Sequence, residues 1–409
     1  MTPFLQLSIA LAIIIMAAKV AGYLSTKLGQ PSVLGELLVG ILLGPSVLNL
    51  LHVPYFTDEH LSETIEYLAE LGVMLLMFIA GLDLHLSDLA KSGKVSALAG
   101  VLGVLLPLAF GAGIGLLFAL EFQASVFLGL ILAATSVSIS AQTLMELKVL
   151  RSRVGISLLG AAVFDDILVV LGLSIFVALI QSGSGSGWVE VLWIALRMVL
   201  YLGIATATGF LLLPRMSQRI GNLPVSQGVV AFAVVIILIY GWSAEVLGSM
   251  AAISGAFLAG LVLARSPVKE QIESGISALA YGLFVPVFFI NVGLSANARE
   301  LSLESLWLLL AMTAVAIIGK VLGAGAGARM SGLSRLEALQ LGVGMMSRGE
   351  VGLIVATVGI TSGIIQQETF AAVVGVVIIT TLLTPPALRS LFARSESRPV
   401  ALQESAAGE

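Results

Sequence analysis

Two adjacent carboxylates, Asp165 and Asp166, lie inside the apolar segment VFDDILVV. Lys320 in AVAIIGKVLG, and Arg348 and Glu350 in MMSRGEVG, also lie among apolar residues. An ionisable group in mid-bilayer costs at least about 2.5–3.5 kcal/mol, so such groups usually pair or face a cavity and serve transport. The alternative is a structural salt bridge that fixes helix packing, but one lysine neutralises only one of two carboxylates.

The spacing of the two aspartates indicates two different tasks. Neighbouring residues of a helix point about 100° apart, so we expect one carboxylate to pair with Lys320 while the other faces an aqueous cavity. A carboxylate at such a site either binds a cation or takes a proton. Competition between these two states is the chemistry of an ion/proton exchanger.

Neutral ligands for a cation are available in AATSVSISAQTL, where Thr135, Ser136, Ser138 and Ser140 carry hydroxyl groups. Serine and threonine hydroxyls in helices also bond back to their own backbone. Both interpretations of these side chains stay open at the level of sequence.

A second segment, MMSRGEVGLIVATVGITSG, contains Gly349 and Gly352, which weaken a helix. It lies seven predicted spans after the hydroxyl-rich segment and runs antiparallel to it. A pair of interrupted helices in corresponding positions of inverted halves indicates a transporter site at the membrane midplane. Half-helix ends there need counter-charges, which Arg348 and Glu350 would supply.

Composition indicates that lipid surrounds most of the chain. The 409 residues are 58% hydrophobic and 11% charged, with a mean hydropathy of +1.08, whereas soluble domains carry about 25% charged residues. Apolar runs of roughly 20 residues recur, and these are too long and uniform for barrel strands. The sequence therefore predicts an all-α polytopic membrane protein. It contains no cysteine, which excludes disulfides, thiol catalysis and cysteine-ligated metals.

Thirteen segments are expected to span the membrane: 4–27, 33–51, 64–84, 95–120, 124–146, 154–181, 188–213, 226–247, 250–265, 276–296, 303–329, 335–361 and 367–391. Fifteen of the twenty lysines and arginines fall in alternate loops. The positive-inside rule then predicts an external N-terminus and a cytoplasmic C-terminus. Residues 394–409 form a short polar tail, and the absence of G-x-G-x-x-G argues against a nucleotide-binding domain in this chain.

Seven motifs in order resemble the monovalent cation/proton antiporter family, which includes Kef-type transporters and NapA-like sodium/proton antiporters. They are LGQPSVLGELLVGILLGPSVL, FIAGLDL, ATSVSISAQTLMELKVL, LGAAVFDDILVVL, FVPVFFINVGL, GKVLGAGAGA and GVGMMSRGEVGLIVATVG. The likeness is nearest to the NapA-like members, because Kef-type members typically have glutamine before the aspartate and a cytosolic nucleotide-binding domain.

The resemblance implies an inverted-repeat antiporter fold with crossing broken helices, in which a core domain moves against a dimer-forming domain. The transmembrane domain would cover 1–393, with inverted halves at about 1–181 and 226–393 joined by a linker helix at 188–213. The chain is therefore expected to form a homodimer in the inner (cell) membrane of a prokaryotic-type cell.

The family's site residues carry over by position. The ion-binding, protonated carboxylate falls on Asp166, and the family's aspartate–lysine pair falls on Asp165 and Lys320. The arginine and glutamate of the second broken helix fall on Arg348 and Glu350. Some relatives have a threonine–proline break in the hydroxyl-rich segment, which this chain lacks, so Thr135 and Ser136 as Na⁺ ligands and Ser138 as a supporting residue are weaker assignments.

These features predict an antiporter that exchanges Na⁺ or Li⁺ for H⁺ by alternating access. Exchange is expected to be electrogenic if Lys320 also releases a proton, and one-for-one if it does not. A K⁺/H⁺ antiporter of the same fold and a sodium-coupled organic-anion symporter are the alternatives. An intramembrane aspartyl protease needs aspartates on facing helices, so no enzyme activity is expected. No cofactor and no nucleic-acid partner is expected either.

Overall fold

The computed structural model describes residues 1–84, 91–181, 187–294 and 303–396, and all regular structure in these ranges is helical. The helices of these ranges, numbered in chain order, are α1 (Pro3–Lys27), α2 (Ser32–Leu43), α3 (Leu61–Leu82), α4 (Gly93–Leu117), α5 (Phe122–Ala133), α6 (Val137–Glu146), α7 (Arg153–Gln181), α8 (Gly187–Gly221), α9 (Gly228–Val246), α10 (Ala252–Leu263), α11 (Lys269–Leu279), α12 (Val285–Leu294), α13 (Leu303–Met330), α14 (Arg335–Gly344), α15 (Glu350–Thr361) and α16 (Gln367–Glu396). A 3₁₀ turn, Leu50–His52, follows α2, and a π-helical turn, Ala280–Phe284, joins α11 to α12.

Ten of the described helical segments are long and apolar enough to cross a membrane, and three shorter apolar helices accompany them. Each of the thirteen predicted segments overlaps one of these helices or a pair of half-helices. The prediction of thirteen crossings stays a prediction. Of the predicted polar tail, residues 397–409 lie outside the described residues, and α16 continues to Glu396.

Local sequence explains where several helices begin. The Thr2 side chain accepts a hydrogen bond from the backbone N–H of Leu5, and Pro3 occupies the first helical position, where no N–H is needed. At the start of α14, Ser334 and Glu337 form a reciprocal capping box. These caps satisfy N–H groups that would otherwise lack partners at the helix ends.

The packing divides the helices into two groups. The first, which we call the core group, contains α4–α7 and α13–α16; the second, the panel group, contains α1–α3 and α9–α12. Each group draws helices from both halves of the chain. Helix α8 packs on α7 of the core group and on α9 and α10 of the panel group. The boundaries predicted for the inverted halves and the linker stay predictions.

Glycines allow α13 to approach α4 closely within the core group. A β-carbon on Gly323 would lie 2.3 Å from the carbonyl oxygen of Leu102, and one on Gly327 would lie 2.3 Å from that of Leu98. Small residues spaced four apart are a common way to bring two membrane helices together. Helix α7 also packs on α4, so both helices that carry the central charges are held against the same partner.

Two polar contacts join the two groups at the end of the molecule that is predicted to be cytoplasmic. Ser32, the first residue of α2, donates its backbone N–H and its hydroxyl to the Glu146 carboxylate at the end of α6, at 2.6 and 2.5 Å. Asp83, after α3, pairs with Arg151, between α6 and α7, at 2.9 Å. Both contacts join the panel group to the core group.

Candidate functional site

Two interrupted helices cross in the middle of the core group. The first leaves helical geometry between α5 and α6, where Ser136 is extended, with φ −96° and ψ 108°. The second is broken between α14 and α15. The backbone N–H of Ser136 donates to the carbonyl oxygen of Ser347 at 2.9 Å, and the Ser347 hydroxyl donates to the carbonyl oxygen of Ser136 at 2.6 Å. Each break thus satisfies backbone groups of the other.

Close approach of the two breaks depends on Gly349. A β-carbon at this position would lie 2.6 Å from the Cβ and Oγ atoms of Ser136, which is closer than real β-carbons come. The Ser140 hydroxyl adds a bond to the carbonyl oxygen of Gly344. Ser136 and Ser138 have their hydroxyl oxygens 3.0 Å apart. All three serines are fully buried. Their hydroxyls contact one another or the backbone of the other interrupted helix.

Arg348 lies in the second break and neutralises the end of a half-helix. Its guanidinium, in a residue that is 1% exposed, donates to the carbonyl oxygens of Met345 at 3.3 Å and Met346 at 2.8 Å, which follow the last turn of α14. It also donates to the carbonyl oxygen of Ala316 on α13 at 3.0 Å. A cation is favourable at the negative C-terminal end of a helix. Glu350 is the first residue of α15, but its side chain lies outside the described residues.

Asp165 on α7 and Lys320 on α13 form a hydrogen-bonded ion pair, and both residues are 0% exposed. The pair uses one carboxylate oxygen; the other, Oδ2, is buried without a hydrogen-bond partner among the described residues. The Thr135 hydroxyl lies beside this carboxylate, although its Oγ1 atom does not reach hydrogen-bonding geometry and is also unpartnered. Two buried acceptor oxygens are therefore left for another group.

Asp166 lies next along α7 and points toward the panel group. Its carboxylate accepts a hydrogen bond from the Ser254 hydroxyl of α10 at 2.9 Å, and the residue is 7% exposed. A cavity of about 10 Å³ adjoins both residues, close to the lower limit for holding a single water molecule. Met77 of α3 and Val137 of α6 contribute to its lining. The cavity thus lies where the two groups of helices meet.

The structure brings Asp165, Lys320 and Thr135 together, with Asp166 on the adjoining face of α7 and Arg348 within electrostatic range of Asp165. Sequence reasoning missed two residues at this site. Ser347 precedes the RGE stretch and carries the contact between the breaks. Ser254 lies in SAEVLGSMAAISGAF, a segment whose only visible signal is its weaker hydropathy.

Comparison with known proteins shows the family of the chain. Residues 13–394 match the family model described as sodium/hydrogen exchanger, transmembrane. The chain is 40% identical over 382 residues to the Na⁺/H⁺–K⁺ antiporter GerN of Bacillus cereus, covering 93% of this chain and 95% of that protein. It is 35% identical over 379 residues to a Na⁺/H⁺ antiporter of Enterococcus hirae, covering 93% and 96% of the two chains.

A solved structure shows the same fold. The sodium/proton antiporter MjNhaP1 of Methanocaldococcus jannaschii superposes with a TM-score of 0.66 at 20% identity, covering 96% of this chain and 97% of that one. The expected all-α antiporter fold is thereby confirmed, while a special closeness to NapA-like members stays a prediction. With a family model that matches nearly its whole length, the chain belongs to the transmembrane sodium/hydrogen exchanger family.

Proposed function

We propose that this integral membrane antiporter exchanges Na⁺ or Li⁺ for H⁺ by alternating access, and that Asp166 is the carboxylate that takes either ion. The observation that carries the proposal is the position of Asp166, which is buried beside a small cavity between the core and panel groups. An ionised carboxylate in such surroundings is costly, so it readily takes a cation or a proton. The names of the GerN and Enterococcus relatives support Na⁺ as one exchanged ion.

The oxygens around the first break are the further candidate ligands. Thr135 Oγ1 and Asp165 Oδ2 are buried acceptors that lack a hydrogen-bond partner in the described structure, and buried polar atoms of this kind usually have one. A bare monovalent cation or a water molecule would satisfy both. Ser136 is a weaker candidate, because its hydroxyl oxygen already lies 3.0 Å from that of Ser138.

Asp165 and Lys320 would set the coupling ratio. In the cation-free protein, Asp165 holds Lys320 in its charged form through their buried contact. A cation that draws Asp165 away would leave a buried ammonium without its partner, and burial favours the neutral form of an amine. Release of that proton, together with the one from Asp166, gives two protons per monovalent cation and electrogenic exchange.

We expect the core group to move across the membrane relative to the panel group, and the charge state of Asp166 to determine when it can move. An ionised carboxylate without a counter-ion is expensive in a low-dielectric interior. The empty site therefore resists crossing, whereas a site neutralised by a cation or a proton crosses. The requirement that the site be neutral before it crosses enforces exchange and prevents leak of ions. It involves no chemical reaction of the transported ions, consistent with a transporter that is not an enzyme.

Potassium is the second candidate ion. The GerN relative is named as an antiporter of Na⁺, H⁺ and K⁺, and the same carboxylate and hydroxyl oxygens bind either alkali cation. The family match and the names of these relatives, which describe sodium/proton exchange, argue against the symporter alternative. We also propose a homodimer in a prokaryotic-type inner membrane, with the N-terminus outside and the C-terminus in the cytoplasm.

The test is dissipation of a pH gradient in proteoliposomes by Na⁺, Li⁺ and K⁺, each added separately, for wild type and Asp166→Asn. The matched control is Glu270→Gln, which removes an exposed carboxylate on α11. Loss of the Na⁺ or Li⁺ response in Asp166→Asn alone supports the proposal. A response confined to K⁺ would change the ion, and no response in wild type would overturn the function.

A further inference from the structure

The hydroxyl that holds Asp166 belongs to the opposite group of helices. Ser254 lies on α10 of the panel group, and its Oγ donates to Asp166 Oδ2 on α7 of the core group at 2.9 Å. Seven of the nine residues that line the adjoining cavity have apolar side chains; Asp166 and Ser254 are the other two. Within that lining, the panel group thus offers the carboxylate one polar side chain.

A hydroxyl on the panel group is better suited to bind Asp166 in the cation-free protein than in the protein with its cation bound. If the core group carries the cation across, the ligands of that cation have to travel with the core group. A ligand fixed on the panel group would hold the ion back. The hydrogen bond from Ser254 is therefore a contact of the cation-free state, and it occupies a lone pair of the oxygen that a cation would approach.

We propose that Ser254 is a positioning residue that holds the Asp166 carboxylate against the panel group until a cation displaces it, and so sets the apparent affinity for Na⁺. The inference rests on the proposed exchange at Asp166 and names a determinant of that site outside the core group. Hydrogen bonds to charged acceptors are stronger than neutral ones, so the cation has to compensate for the loss of this bond.

The first measurement is the KM for Na⁺ in proteoliposomes, where Ser254→Ala is expected to lower KM about tenfold. Ser254→Thr keeps the hydroxyl and should retain the wild-type KM. Because Ser254 is not a ligand of the bound cation, Ser254→Ala should lower the KM for Li⁺ by the same factor. A KM that stays unchanged in Ser254→Ala, a KM that rises, or unequal factors for Na⁺ and Li⁺ would overturn the inference.

The second measurement separates positioning from a purely structural role. Melting temperatures of the purified protein are compared without Na⁺ and at saturating NaCl, with choline chloride matching ionic strength. Ser254→Ala should melt below wild type without Na⁺, and the gap should close at saturation because the loaded state does not use the hydroxyl. A gap of constant size contradicts the proposal.

Ser266→Ala is the matched control. Ser266 is a buried serine just after α10, and its hydroxyl lies 2.7 Å from that of Ser217, away from the cavity. Its removal should lower the melting temperature equally with and without Na⁺ and leave KM unchanged. If wild type shows neither Na⁺-dependent stabilisation nor exchange, the proposed function fails; if wild type responds and Ser254→Ala behaves like Ser266→Ala, only this inference fails.

Discussion

Adjacent carboxylates on one helix have different surroundings in this protein. Asp165 faces Lys320 in the interior of the core group, whereas Asp166 faces the panel group and a cavity. The divergence of neighbouring side chains on a helix, about 100° per residue, is sufficient to separate them. In the cation-free protein, one carboxylate can therefore hold the charge of Lys320 while its neighbour is left to exchange a cation and a proton.

The buried pair should behave as a unit in stability measurements. Removing one partner, as in Lys320→Gln or Asp165→Asn, leaves an uncompensated buried charge and is expected to cost about 3–5 kcal/mol of unfolding free energy. The double variant removes both charges and should lose much less than the sum. Unfolding of the four proteins in a double-mutant cycle measures the coupling, and additive losses would show that the two charges do not depend on each other.

Lys320→Gln also tests the coupling ratio. If Lys320 releases a proton in each cycle, the variant should exchange one proton per cation and carry no net current, while wild type generates current on a supported membrane. The measurement is transport current at equal Na⁺ gradients, with pH-gradient dissipation as the control that the variant still exchanges. Equal current per turnover in both proteins would assign the second proton elsewhere.

At the scale of elements, the central feature is that each broken helix completes the other. Ser136 and Ser347 exchange a backbone and a side-chain hydrogen bond across the crossing, so backbone groups released by the breaks are not left unsatisfied in the membrane, where that would cost several kcal/mol each. Arg348 supplies positive charge to the end of α14. The two breaks thereby satisfy and position each other.

Two glycines of the same motif give a matched test of the crossing. Gly349→Ala would place a β-carbon 2.6 Å from Ser136 atoms and should displace the first break. A β-carbon on Gly352 would instead have its nearest neighbour outside its own helix, the Ile131 carbonyl oxygen, at 3.8 Å. A displacement of about 1 Å at a functional site costs up to ~100-fold in rate. We expect exchange to fall sharply only in Gly349→Ala.

Gly352→Ala should instead preserve exchange and stabilise α15 by up to about 1 kcal/mol, because alanine is the better helix former. Proteoliposome exchange and melting temperature are measured for both variants. Equal activity of the two would indicate that the crossing tolerates displacement.

The sequence predicted the elements better than their partners. Apolar runs predicted segments that overlap the membrane-length helices. The charged residues in them singled out Asp165, Asp166, Lys320 and Arg348, because charge in lipid is rare and costly, and the roles of these four residues stay predictions. Ser254 and Ser347 could not be found in this way. Serine is inexpensive to bury and common in membrane helices, so its role depends on tertiary contacts that the local sequence does not encode.

At the scale of the whole molecule, two polar contacts join the two groups at the end that is predicted to be cytoplasmic. Ser32 holds Glu146 at the N-terminus of α2, where a negative charge is favourable, and Asp83 pairs with Arg151. If the core group moves, these contacts have to break in each cycle. They are therefore a place to test the motion directly.

Immobilising this contact should stop transport. The chain has no cysteine, so Ser32→Cys/Glu146→Cys carries the only thiols, and a short cleavable bifunctional thiol reagent can join the two groups. We expect the joined protein to lose exchange in proteoliposomes and to regain it after reductive cleavage of the reagent. The single variants treated in the same way are the controls. Undiminished exchange in the joined protein would show that the groups need not separate here.

Helix α8 connects this motion to the surrounding lipid. It has 35 residues, so it is about 52 Å long at 1.5 Å per residue, against a hydrocarbon layer of roughly 30 Å. A helix of this length either tilts or extends into the headgroup regions, and because it packs on both groups, a shift of the core group would change its tilt. If it does, the two conformations of the proposed cycle would fit bilayers of different thickness, and lipid acyl-chain length would bias the equilibrium between them.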